Sequence, residues 1–150
     1  MSFSERAFPH GLRAALFALV LLVLSCAAQA QTMAIVSARQ SGLTEIDRES
    51  AEQLYLGRRT TLPNGRAVTL VDLPAGSVRD RFYLQLTRKN PSQIRAYWSR
   101  LVFTGRAQPP REATDEEDAR RIVLTTPGAI AYLPIEAARH PDLLVLFKLD

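Results

Sequence analysis

The chain has 150 residues, 47% of them hydrophobic, and a formal net charge of +4. That is enough for one domain of ordinary size with a real core. Cys26 is the only cysteine and His140 is one of two histidines, so thiol chemistry and histidine-based chemistry have almost nothing to work with.

The first thirty residues read as a secretory signal rather than as part of the fold. Arg6 and Arg13 form a basic start, Ala14 to Leu24 an apolar stretch, and Ala28-Gln29-Ala30 a small-x-small cleavage site. The apolar stretch is short for a membrane span and no stop-transfer pattern follows it. A competing reading starts from Val23-Leu24-Ser25-Cys26, which loosely resembles a lipobox, although Leu24 is bulky for its place there. A lipid on Cys26 would tether the protein to a membrane instead of releasing it. Cleavage after Ala30 leaves residues 31–150, with no cysteine, hence no disulfide. The segment removed carries two arginines and one glutamate, so about +3 remains.

Met33 to Ala38 is an apolar run and predicts a first strand. Asp47 is placed to cap a helix, with Ile46 and Ala51 as a hydrophobic staple, Leu54 and Leu56 inside and Gly57 as the stop. Pro63-Asn64-Gly65 is a turn. A strand follows over Val68, Leu70 and Leu73, with Thr69 and Asp72 interrupting it. Pro74-Ala75-Gly76-Ser77 turns the chain into a helix, in which Ser77 is expected at the N-cap and Asp80 completes an approximate capping box. Val78, Phe82 and Leu86 recur at helical spacing to about Lys89. A helix entered through a Gly-Ser turn presents free N–H groups and a positive dipole end, which suits an anion.

Asn90 and Pro91 open the next helix as cap and first residue. Its stripe is Ile94, Tyr97, Trp98 and Leu101, and this spacing marks Tyr97 and Trp98 as core. Phe103 to Glu112 reads as a loop. Thr114-Asp115-Glu116-Glu117 is a capping box with acidic residues at the positive end of a helix that carries Ile122, Val123 and Leu124 and stops before Pro127-Gly128. Ala129 to Leu133 is a strand, Glu136 to Ala138 a helical turn, and Leu143 to Leu149 the last strand. This β-α-β-α-α-α-β-(α)-β order predicts a three-layer α/β domain with a small mixed sheet.

The chemistry of an enzyme is not visible. His140 sits in a turn-like Arg-His-Pro-Asp context, there is no Gly-x-Ser-x-Gly elbow, no phosphate loop ending in Lys-Ser/Thr, and no metal-ligand spacing. No cofactor is expected. Basic residues are scattered without interleaved aromatics, which speaks against nucleic acid.

Several segments, in order, resemble the phosphate-binding proteins of ABC importers. Glu52 to Gly57 followed by Leu62-Pro63-Asn64-Gly65 is similar to their "helix, Phe-x-Gly, Trp-x-x-Gly" passage. Gly76-Ser77 with Arg79 and Phe82 resembles their Ser-Gly-Thr helix start, and Pro127-Gly128-Ala129-Ile130-Ala131-Tyr132 their Pro-Gly-Ala-Ile-Gly-Tyr strand. Tyr97-Trp98, Phe103 to Arg106 and Pro109-Pro110 match small exported proteins related to them.

The resemblance implies one lobe of a type II periplasmic-binding-protein fold, the centrally inserted one, with the sequence for the other lobe not present. It implies an exported, periplasmic, solute-binding-like module that holds phosphate or a similar oxyanion weakly at Gly76 and Ser77, helped by Arg79, beside a membrane transporter or sensor. The family's anion loop is altered, with Asp72 near where its arginine would fall and Val78 where its threonine would. The alternative is an interaction protein that keeps the fold and docks a partner, a second lobe-like protein or itself, as a monomer or weak dimer. Intact-mass analysis of the exported protein is expected to give a chain starting at Gln31; an acylated species starting at Cys26 would overturn that processing.

Overall fold

The computed structural model describes residues 31–150, so the expected signal and the competing lipidation reading at Cys26 both lie outside the described residues. Five strands and four α-helices follow in chain order: β1 (Met33–Ala38), α1 (Arg48–Tyr55), β2 (Thr69–Asp72), α2 (Ser77–Thr87), α3 (Pro91–Phe103), β3 (Arg111–Glu112), α4 (Glu116–Thr125), β4 (Ala129–Pro134) and β5 (Leu143–Leu149). The sheet order is β3-β2-β4-β1-β5. β2 runs parallel to β3 and β4, whereas β1 runs antiparallel to β4 and β5. No helix of the described residues is long and apolar enough to cross a membrane.

Central strands buried on both faces require a layer on each side, and β1 and β4 are buried along their whole length. One face of β4 carries Tyr132, which stacks on Phe82 of α2 with ring centroids 3.6 Å apart and planes 6° from parallel. Tyr55 of α1 meets both rings edge-on, at 4.8 Å from Phe82 and 5.7 Å from Tyr132. The other layer is α4, which packs on β1, β2 and β4 through buried Ala119, Ile122 and Val123. The small Ala129 and Ala131 alternate with Ile130 and Tyr132 along β4, so the two faces of one strand carry different volumes.

Local chemistry sets most boundaries. Asp47 caps α1 by accepting from the Ser50 amide at 2.7 Å, and Leu56 is its C-cap rather than an interior residue. Asn90 and Gln93 form a reciprocal capping box with both bonds at 2.9 Å, and Pro91 is the first residue of α3. Trp98 is buried in the core, and the Tyr97 hydroxyl donates to the Leu56 carbonyl at 2.7 Å.

Three further expectations are corrected. The N-cap of α2 is Gly76, with no side-chain capping bond, and Ser77 is the first helical residue. Ser77 therefore lies one position too far into the helix for its hydroxyl to act as the cap. The N-cap of α4 is Asp115 rather than Thr114: its carboxylate accepts from the Asp118 amide at 2.8 Å, and Asp118 accepts from the Thr114 amide at 3.0 Å. Two acidic side chains thus outcompete the threonine hydroxyl. Finally, Phe103 belongs to α3, and the following loop contains β3, whose two residues continue the sheet beside Val71 and Asp72.

Gly128 turns the chain into β4 at φ 75°, and a Cβ there would lie 2.5 Å from the Ala67 carbonyl oxygen. Both the left-handed backbone and the clash with main chain oppose any side chain. Gly128→Ala is expected to cost about 2 kcal/mol or more, read as a lower midpoint in urea; an unchanged midpoint would contradict this packing.

Candidate functional site

The C-terminal end of β2 opens on a cleft of about 530 Å³. One wall is the Leu73–Val78 turn into α2, the other the Thr114–Glu117 turn into α4. Two helix N-termini therefore meet across it, an arrangement that in general favours an anion. Gly76 is extended and its Cα faces open space, the nearest atom to an added Cβ being the Pro74 oxygen at 4.0 Å. Ser77 is exposed beside it.

The charges in this cleft have the other sign. Asp115, Glu116 and Glu117 line it, and the α4 end already gives its capping position to the Asp115 carboxylate. A helix end contributes about 0.3–1 kcal/mol toward an exposed anion. Carboxylates on three residues of one wall oppose an anion by repulsion of comparable size each, so the balance tips against a second anion.

Of the three residues expected to bind ligand, the structure brings Gly76 and Ser77 together on the cleft and takes Arg79 away from it. Arg79 is two residues beyond Ser77 on α2, and that turns it toward β2. Its guanidinium pairs with the Asp72 carboxylate at 3.0 Å and with Glu112 at 3.8 Å, and it lies 5.9 Å from the centre of the Tyr83 ring.

Asp72 is the residue that the sequence left as an interruption in an apolar strand, and it is the centre of a buried polar network. Tyr83 donates to its Oδ2 at 3.2 Å. Tyr132 donates a short bond to its Oδ1 while accepting from the Leu73 amide at 3.1 Å. Burial pushes the Asp72 carboxyl above its usual 3.8, against the Tyr132 bond, the Arg79 charge and the Tyr83 bond, which pull it down; Glu112 adds to the rise. Burial likewise holds the Tyr83 and Tyr132 hydroxyls protonated, well above the usual tyrosine range. The one sequence signal for this network was a lone carboxylate inside a strand, since buried charges need partners.

His140 accepts from the Asp142 amide at 3.2 Å in the β4–β5 connection. Among the described residues no group of three or more His, Cys, Asp or Glu is placed to hold a metal ion.

Two solved structures are similar to this chain in fold. One is an ABC-type phosphate transport receptor from Vibrio cholerae, at a TM-score of 0.59 and 15% identity, over 78% of this chain and 46% of that one. The other, from Clostridium perfringens, is a protein assigned as a phosphate ABC transporter substrate-binding protein and holding bound phosphate, at a TM-score of 0.58 and 13% identity, over 78% of this chain and 45% of that one. No family model and no curated protein matches the chain. The chain spans just under half the length of each matched structure. At this identity the likeness establishes the fold: a single α/β lobe of the type II periplasmic-binding-protein kind.

A carboxyl raised by folding binds its proton more tightly in the native state than in the unfolded chain. Its contribution is therefore full below the unfolded pKa, near 3.9, and is lost as pH rises through the native one. The stability of wild type minus that of Asp72→Asn, measured in urea from about pH 4 to about pH 8, is expected to fall with pH. A difference that grows with pH would overturn this reading of the network.

Proposed function

We propose that this chain is an exported, solute-binding-like lobe that works by docking a partner on its open cleft rather than by enclosing phosphate. The observation that carries this is the charge arrangement at the Gly76–Ser77 helix start. The nearest helical cation, Arg79, is committed to Asp72, and the opposite wall presents Asp115, Glu116 and Glu117. Such a cleft favours a cationic segment of another protein, whose lysines or arginines would meet the three carboxylates while its chain covers the turn at Gly76. The names of the two matched structures, a phosphate transport receptor and a transporter substrate-binding protein, support a role in binding beside a transporter; the periplasmic location rests on the leader-like first thirty residues. The cleavage after Ala30 belongs to the same reading.

The exposed Ser77 hydroxyl and the first amides of α2 favour a second reading, weak oxyanion binding at Gly76 and Ser77. Two measurements separate the readings. In an NMR titration, amides of Gly76 to Val78 are expected to stay unmoved up to tens of millimolar phosphate, since a half-exposed anion opposed by like charge and screened by salt gains too little to bind in that range. A saturable shift there, reduced in both Ser77→Ala and Ser77→Gly, would establish the oxyanion instead. In cells, a photocrosslinker at Ser77 is expected to capture a discrete partner, one lost in Glu116→Lys/Glu117→Lys. Equal capture from a crosslinker at exposed Arg95 on α3 would overturn the docking surface.

A further inference from the structure

Between Phe82 and Pro110 the chain carries Arg88, Lys89, Arg95, Arg100 and Arg106 and no carboxylate. None of these cations is in an ion pair among the described residues. The exposed large apolar side chains of the described residues, Leu84, Val102 and Phe103, fall in the same stretch. Phe103 is 91% exposed, and helix geometry explains why. It comes five residues after buried Trp98, which sets it about 140° round α3 from the face that meets the core.

The turn that follows α3 is closed on itself. The Thr104 and Gly105 amides donate to the Arg100 and Val102 carbonyls, both at 3.1 Å, and the Arg106 amide to the Leu101 carbonyl at 3.0 Å. The Thr104 hydroxyl donates to the Arg100 carbonyl at 2.8 Å. Gly105, at φ 64°, supplies the left-handed residue that such a closure needs. Val102 and Phe103 thus stand on a tip whose amides have no need of water, a condition for entering an apolar medium. The arginines around it are held by neutral groups: Arg100 lies 5.9 Å from the centre of the Tyr97 ring, and Arg95 donates to the Ser92 hydroxyl at 3.2 Å.

We propose that the Val102–Arg106 tip inserts into the surface of an anionic lipid bilayer, with Phe103 below the headgroups and Arg95, Arg100 and Arg106 against lipid phosphates. An apolar protrusion rimmed by cations has the chemistry of an interfacial anchor, since the arginine stems reach along apolar surface while their charges stay among the headgroups. An acidic protein surface would also suit the charge. The bilayer is favoured because it asks only for apolar volume and positive charge, and the tip amides are already paired within the chain. The tip shares no residue with the Gly76–Ser77 cleft, so this proposal and the docking proposal stand or fall separately.

The test is co-sedimentation with vesicles, using exported protein carrying Cys26→Ala so that no lipid of its own contributes. Binding is expected to vesicles of equal parts phosphatidylglycerol and phosphatidylcholine, to fall steeply as salt rises, and to be absent with phosphatidylcholine alone. Phe103→Ser is expected to weaken it by about tenfold, and Arg100→Gln and Arg106→Gln by about fivefold each. All three side chains are exposed, so these changes leave the core intact. Arg66→Gln/Lys148→Gln removes two exposed charges elsewhere and is expected to bind like wild type. No binding to the anionic vesicles would overturn the proposal, as would wild-type binding by Phe103→Ser or equal weakening by Arg66→Gln/Lys148→Gln. In cells, a photocrosslinker at Phe103 is expected to give lipid adducts; a discrete protein adduct instead would assign the tip to an acidic partner and overturn the bilayer.

Discussion

One carboxylate ties this lobe together. Asp72 sits at the C-terminal end of β2, where the chain is about to leave the sheet for α2. It receives a hydroxyl from β4 (Tyr132), a hydroxyl from α2 (Tyr83) and a guanidinium from α2 (Arg79). An ionised group in this position costs several kcal/mol in lost hydration, and the raised carboxyl shows that the partners do not fully offset it. What the network supplies is registry. The Tyr132 ring stacks on Phe82 of the same helix, so the polar and apolar contacts fix α2 against β4 at two heights. The direction in which the α2 N-terminus points follows from that docking.

The same ion pair decides where the free positive charge lies. A cation two residues into a helix would ordinarily reinforce an anion site at its start. Here it is drawn sideways to the sheet, and the surface at the helix start is left to Ser77 and to the carboxylates of α4.

Much of the fold was legible because local signals were strong. β1 and β5 follow apolar runs whose ends are marked by polar residues, and α3 carries both its cap and its stripe in sequence. The Pro-Gly before Ala129 announces the entry into β4. The cap assignments at Ser77 and Thr114 slipped by one residue because several adjacent residues could cap and only their geometry chooses among them. β3 gave no signal, since two exposed charged residues have no periodicity. The site was less legible. Turn chemistry marked Gly76 and Ser77 as a helix start, but the direction of Arg79 depends on Asp72, Tyr83 and Glu112, which meet it only in three dimensions.

The position of β1 also governs the time at which the lobe can form. It lies between β4 and β5, with Met33 opposite Pro134 on one side and Leu149 on the other. The first strand of the lobe thus finds both partners roughly a hundred residues later. Closing so large a loop is slow, and no earlier segment can substitute for the missing edges. During synthesis the sheet has to wait for the end of the chain.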